Sequence, residues 1–164
     1  MDTSSSTLEL ATRLGEVLKD RKWSLAVAES CTGGMLGAAI TDVPGSSRYF
    51  LGGVISYSDR VKLEQLGVPP ETLKTHGAVS AETARAMASG ARELLHADLA
   101  VSITGVAGPA AEGKKPAGLT YIGIDAAGKV GSYLYQWSGD RYRNRSASVE
   151  AALKLAIEAA QTMS

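Results

Sequence analysis

Apolar positions recur at helical spacing near the start of the chain, at Leu10, Leu14, Val17, Leu18 and Trp23, and predict a first helix over about residues 8–21 with Ser6 or Thr7 as its cap. Residues 1–7 are polar and are expected to be flexible. Leu25 to Ala28 is a continuous apolar run and reads as a strand. It feeds the small-residue stretch Glu29-Ser30-Cys31-Thr32-Gly33-Gly34 and then Met35-Leu36-Gly37-Ala38-Ala39-Ile40, a helix that should stop near Asp42 because Val43-Pro44-Gly45-Ser46-Ser47 is turn chemistry. Gly52 to Tyr57 reads as a second strand, buried and rich in glycine. Ser58-Asp59 caps a short helix through Val61, Leu63 and Leu66 that ends at Gly67, and Pro69-Pro70 blocks its continuation.

Further along, Ser80 caps a longer helix in which Ala84, Met87, Ala88, Ala91, Leu94 and Leu95 share one side. Leu99 to Ile103 is a third strand, closed by Thr104-Gly105-Val106-Ala107-Gly108-Pro109 and a loop over residues 110–116. Leu119–Ile124 and Val130–Trp137 alternate with period two around Ala126-Ala127-Gly128-Lys129, a hairpin pattern. A last helix buries Val149, Ala152, Leu153, Ala156, Ala159, Ala160 and Met163. Helix–strand alternation followed by a late hairpin predicts an α/β fold. Its expected form is three-layer α/β/α, with a mixed, partly parallel sheet of about five strands in a single domain over residues 1–164.

Composition narrows the function classes. Acidic and basic residues balance at 17 each, and no basic face interleaved with aromatics marks a nucleic-acid partner. One cysteine, Cys31, excludes an intrachain disulfide and a cysteine-based zinc site and fits a reducing cytosol. The polar start has no apolar core of a signal peptide, and no apolar run approaches the ~20 residues of a membrane span, so the expected location is cytoplasmic and no membrane partner is expected. No phosphate-loop, dinucleotide or metal-ligand spacing occurs, so neither a metal nor a cofactor is expected.

In sheets of this kind ligands gather at the carboxyl ends of the parallel strands, where three segments here carry polar or glycine-rich chemistry. They are Ser30 to Gly34, Ser56-Tyr57-Ser58, and Thr104-Gly105 with Gly108. The first amides of the helix after Ser30 suit a phosphate, a carboxylate or a developing oxyanion. Ser30 offers a hydroxyl nucleophile and Cys31 a rival thiol; the plainer alternative is that Ser30 or Thr32 only caps the helix. Of the two histidines, His76 lies in a connection and His96 at a helix end, so neither is placed as a base. Lys62, within the first turn of its helix, is the lysine best placed to stay neutral, with Tyr57 at the preceding strand end as a proton relay. A snorkelling surface lysine is the alternative. Arg141 and Arg145 share a helix face near a helix start, which suits a bound anion, while Asp140 and Glu150 could pair with them instead.

Taken together, Ala28-Glu29-Ser30-Cys31-Thr32-Gly33-Gly34, Tyr57-Ser58 with Lys62, Leu66-Gly67-Val68, His76-Gly77-Ala78-Val79-Ser80, Ser102 to Pro109, Lys115-Pro116-Ala117-Gly118 and Gly139-Asp140-Arg141 through Arg145 closely resemble the CinA C-terminal domain family. The resemblance runs from about residue 8 to the end. It implies a metal-free serine amidohydrolase acting on nicotinamide mononucleotide (NMN) to give nicotinic acid mononucleotide and ammonia. It assigns Ser30 as nucleophile, Lys62 as base and Tyr57 as assistant. Backbone amides around Cys31, Thr32, Gly33 and Gly34 would hold the oxyanion, Thr104 and Gly105 would line the substrate site, and Arg145 with Arg141 would meet the 5′-phosphate. A homo-oligomer goes with the resemblance. The chain departs from the family pattern at Ala110-Ala111-Glu112-Gly113, where Asp-Gly-Gly is frequent, and at Asn144, where an apolar residue is usual. The second reading is therefore a non-catalytic pyridine-nucleotide-binding or competence- and damage-related regulatory module.

Overall fold

The computed structural model describes residues 3–162. Strands β1 (Leu25–Glu29), β2 (Phe50–Ile55), β3 (Leu99–Gly105), β4 (Leu119–Ala126) and β5 (Lys129–Gln136) form one five-stranded sheet in the order β2-β1-β3-β4-β5. β1 runs parallel to both β2 and β3, β4 pairs antiparallel with β3, and β5 antiparallel with β4. The expected mixed sheet with a late hairpin is thus present. Ala127 and Gly128 at its tip both have positive φ, as a two-residue turn matched to strand twist requires.

Helices cover both faces. α1 (Thr3–Arg21), α2 (Met35–Thr41) and α6 (Arg141–Thr162) pack on the face that carries Leu25, Val27, Leu99, Val101, Ile103, Ile122 and Ile124. On the other face, α3 (Asp59–Leu66) and α5 (Ala81–Leu95), with α4 (Pro70–His76) beside α5, cover Ala26, Ala28 and Ala100 through Leu66, Met87 and Ala91. Small side chains on that second face let α5 sit close to the sheet: Ser102 Oγ donates to Ala84 O, and Gly123 leaves room for that same carbonyl. Among the described residues, no helix is long and apolar enough to cross a membrane.

Several elements depart from the sequence reading. α1 begins at Thr3, so residues 3–7 belong to the helix rather than preceding it, and neither Ser6 nor Thr7 caps it. The Thr7 hydroxyl instead donates to Glu150 on α6 at 3.2 Å, a tertiary contact that outweighs the weak helix propensity of a Ser/Thr run. Met1 and Asp2, the start of the expected flexible tail, and Met163, expected on the buried stripe, lie outside the described residues. β2 starts at Phe50 and is an edge strand with Leu51 and Ile55 exposed, not a buried one, because only β1 pairs with it. A 3₁₀ turn over Ser46–Arg48 occupies the predicted turn. α4 follows Pro69, with Pro70 at the first helical position, where a missing N–H costs nothing; the prolines that end one helix start the next. Leu94 faces solvent at 47% exposure, since its stripe drifts off the sheet by the last turn of α5.

Candidate active site

The carboxyl ends of β1, β2 and β3 converge, as expected of parallel strands. Ser30 follows β1 and its N–H donates to Ile103 O at 2.9 Å, which fastens the Ser30 segment to β3. Ser56, just past β2, donates its N–H to Glu29 O at 2.7 Å and fastens the other side. Two glycines then turn the chain into α2: Gly33 and Gly34 have φ of 58° and 107°, left-handed values that a side chain resists. A Cβ on Gly34 would also approach Ile55 to 3.3 Å.

Lys62 is carried in by α3, whose N-cap Ser58 accepts from Val61 N at 3.2 Å. Its side chain is 1% exposed, and Nζ lies 3.0 Å from Ser30 Oγ, 2.7 Å from Ser56 O and 3.2 Å from Tyr57 O. Burial lowers its pKa, against the opposing charges of Asp59, Cys31 and Glu112. A neutral amine has two N–H groups and one lone pair. Two carbonyls and one serine hydroxyl match that set, with the lone pair facing Ser30. The snorkelling alternative is excluded by this burial.

Cys31 lies beside Ser30, and burial pushes its thiol up to about 11, so it stays protonated near neutral pH and is a poor nucleophile there. Among the described residues no group of three or more His, Cys, Asp or Glu has metal-site geometry. His76 pairs loosely with Glu82 at 3.6 Å on the surface, and His96 is the left-handed C-cap of α5; neither reaches Ser30.

A cavity of about 370 Å³, within the range of small-ligand sites, opens onto this pair. Ser30, Cys31, Lys62, Tyr57, Thr104, Gly105 and Arg141 line it, together with Asp59, Ala78, Val79 and the segment from Val106 to Glu112. Thr104 Oγ1 donates to Ala78 O at 2.8 Å and so joins two of its walls. Arg141 Nη1 donates to Gly108 O at 2.6 Å, next to the cis Gly108–Pro109 bond, and Asn144 Nδ2 donates to Ala107 O at 2.9 Å. The first turns of α6 therefore hold the β3–β4 wall in place. Asn144 Oδ1 also accepts Gly139 N, so this buried amide is satisfied at both ends.

Three expectations need correction. The first free amides of α2 do not wait for a ligand: Glu29, 2% exposed, accepts Leu36 N at 2.8 Å and Gly37 N at 3.0 Å. A carboxylate from the strand end supplies the anion that the helix start favours. Gly33 and Gly34 shape the turn and Thr32 is wholly buried, and none of the three lines the cavity. Arg145 does not line it either: Nε and Nη2 donate to Cys31 O and Thr32 O, each at 3.0 Å. Tyr57 lines the cavity with Ser30 and Lys62 but is 62% exposed, and its hydroxyl accepts from Arg141 at 3.4 Å, while Lys62 meets Ser30 directly. Glu29, Asn144 and the main-chain carbonyls of Ser56 and Tyr57 were missed in the sequence. A carboxylate directly before the Ser–Gly turn was a readable signal for Glu29; the carbonyls carry none.

The CinA C-terminal domain family matches residues 7–160. A putative competence-damage inducible protein of Halothermothrix orenii is 50% identical over 147 residues, covering 87% of this chain and 35% of the relative. A CinA-like protein of Chloroherpeton thalassium is 44% identical over 161 residues, covering 94% of this chain and 38% of the relative. The chain thus spans about a third of the length of these curated relatives. Among solved structures, the competence/damage inducible protein CihA from Agrobacterium tumefaciens superposes with a TM-score of 0.91 at 37% identity, covering 94% of this chain and 95% of that one. The competence damage-inducible protein A from Klebsiella pneumoniae superposes with a TM-score of 0.92 at 34% identity, covering 96% and 99%.

Proposed function

The chain belongs to the CinA C-terminal domain family, and from that premise we propose that it is an amidohydrolase that converts NMN to nicotinic acid mononucleotide and ammonia through a Ser30–Lys62 pair. The observation that carries this reading is the buried Lys62 amine 3.0 Å from Ser30 Oγ, with its remaining hydrogens directed at Ser56 O and Tyr57 O. In the proposed cycle, neutral Lys62 takes the hydroxyl proton as Ser30 Oγ attacks the carboxamide carbon. The oxyanion is met by turn amides after Ser30. Lys62 then returns the proton to the departing nitrogen, ammonia leaves, water attacks the acyl-serine with Lys62 again accepting the proton, and the ester bond breaks as Lys62 hands that proton back to Ser30 Oγ. Arg141, which lines the same cavity beside Gly108, is the cationic group that would meet the phosphate. The reading goes with a cytoplasmic location and a homo-oligomer, and it calls for no metal or cofactor.

Purified protein incubated with NMN tests it through ammonia and nicotinic acid mononucleotide. Turnover by the wild type and its loss in Ser30→Ala are expected; no turnover, or full turnover by Ser30→Ala, would sink the proposal. Ala110 and Ala111 line the cavity where the family resemblance led us to expect an acidic residue, and this favours one competing reading, a nucleotide-binding regulatory module. Calorimetric NMN binding without ammonia release would support that module instead.

A further inference from the structure

Arg145 spans more than a hundred residues of sequence to reach the turn after Ser30. Its Nε and Nη2 each lie 3.0 Å from successive main-chain carbonyls, those of Cys31 and Thr32. A planar guanidinium across two carbonyls fixes two peptide planes at once. In a trans peptide the N–H points opposite to the C=O. Holding Cys31 O therefore turns the Thr32 N–H away from Arg145, and holding Thr32 O does the same to the Gly33 N–H. Gly33 N donates to Ser30 O at 3.1 Å, while Thr32 N donates to no main-chain carbonyl among the described residues. Ser30 and Cys31 line the cavity and Arg145 does not, so the cation stands behind the turn and the substrate space lies in front. Of the charges acting on the Cys31 thiol, Arg145 exerts the largest influence, so its field reaches this turn.

We infer that Arg145 is a positioning residue: from behind the wall it fixes the turn that carries Ser30 and Cys31 to the cavity, and it is not a ligand of the substrate phosphate. The turn is set before substrate arrives, which is the condition for stabilising charge that develops only in the transition state. The inference rests on the amidase reading for its substrate, and part of its test does not.

Full-length wild type, Arg145→Ala, Arg145→Lys and Arg141→Ala are compared in NMN hydrolysis and in calorimetric binding of nicotinic acid mononucleotide. Arg145→Ala should lower kcat about 10- to 100-fold, leave KM within about threefold and leave product affinity unchanged, whereas Arg141→Ala should weaken product affinity. Arg145→Lys should recover little, because one ammonium cannot span both carbonyls. A rise in KM and a loss of product affinity with kcat retained in Arg145→Ala would make Arg145 a phosphate ligand and overturn the inference. If Arg145→Ala melts early, Arg145→Lys carries the same comparison. Pyridine-3-boronic acid supplies the arm free of the amidase reading. Its boron accepts Ser30 Oγ, the hydroxyl proton passes to Lys62, and the adduct is a tetrahedral anion. Its affinity should fall at least tenfold in Arg145→Ala. Equal affinity in both proteins, or no binding to wild type, overturns the inference. A boronate loss beside a wild type that releases no ammonia from NMN would sink the amidase reading alone.

Discussion

Replacing Lys62 by methionine separates the chemistry of the buried amine from its cost. The side chain is almost fully enclosed, and burial lowers its pKa in the folded protein. The unfolded chain therefore binds more protons than the folded one between the lowered value and the ordinary lysine value of about 10.4. Stability must rise with pH across that window, by up to ~1.4 kcal/mol per pH unit when the full proton difference is in play. Below the window both states are charged and the folded state bears the whole cost of an enclosed ammonium. Lys62→Met removes this titration. It also removes a donor from Ser56 O and Tyr57 O, at about 1–3 kcal/mol for each carbonyl left unsatisfied. Against that loss stand the cost of enclosing an amine that must give up its proton to stay buried and the gain from an apolar side chain of similar volume. Near pH 7 these terms nearly cancel, so Lys62→Met should unfold at about the same urea concentration as wild type. The stability difference, wild type minus variant, should then grow steadily toward pH 10. Contributions from groups that do not act on Lys62 appear in both proteins and drop out of the difference, whereas Cys31 and Lys62 each shift the other's titration, so the difference reads the two together. Urea unfolding at pH 7, 8, 9 and 10 measures it, alongside NMN turnover, which should fall at least 10²-fold. Parallel stability curves in the two proteins would show that Lys62 titrates as it does in the unfolded chain, and the neutral-base argument would fail.

Two further outcomes follow from the turn. Glu29→Gln replaces a carboxylate that accepts two amide hydrogens by an amide that can accept only one, so α2 loses part of its cap and unfolding free energy should drop by about 1–2 kcal/mol in urea titrations; an unchanged midpoint would refute the capping role. Cys31→Ala should retain NMN turnover within about threefold. Because the folded thiol titrates near 11, above its unfolded value, wild-type stability is fully present below about pH 8.5 and is lost as pH rises toward 11; thermal melts of Cys31→Ala should show a shallower decline over that range.

Local patterns carried most of the architecture. Ser58 and Ser80 cap the helices they were expected to cap, and Gly67 ends α3 in the left-handed conformation. The Ala127-Gly128 turn forms the hairpin because both positions accept positive φ. Lys62 was legible because helix position and spacing bring it near the end of β2, and Ser30 because a strand meets glycines there. What the pattern could not carry was the partner of each charged group. Arg141 and Arg145 look equivalent as neighbours on one helix face, yet one lines the cavity and the other is taken by carbonyls of a turn far away in sequence. Glu29 likewise looked like the tail of a strand until the helix it caps was in place. Such pairings depend on long-range docking, which residue spacing does not encode.

The dependence of both cavity walls on α6 has a consequence for how the protein is made. Ser30, Lys62 and their strands are synthesised well before α6, and only α6 supplies Arg145 to the serine turn and Arg141 with Asn144 to the β3–β4 wall. A nascent chain still waiting for that helix holds the proposed nucleophile and base without the frame that aims them. At about 5–20 residues per second the helix follows within seconds, so the proposed chemistry waits on its docking.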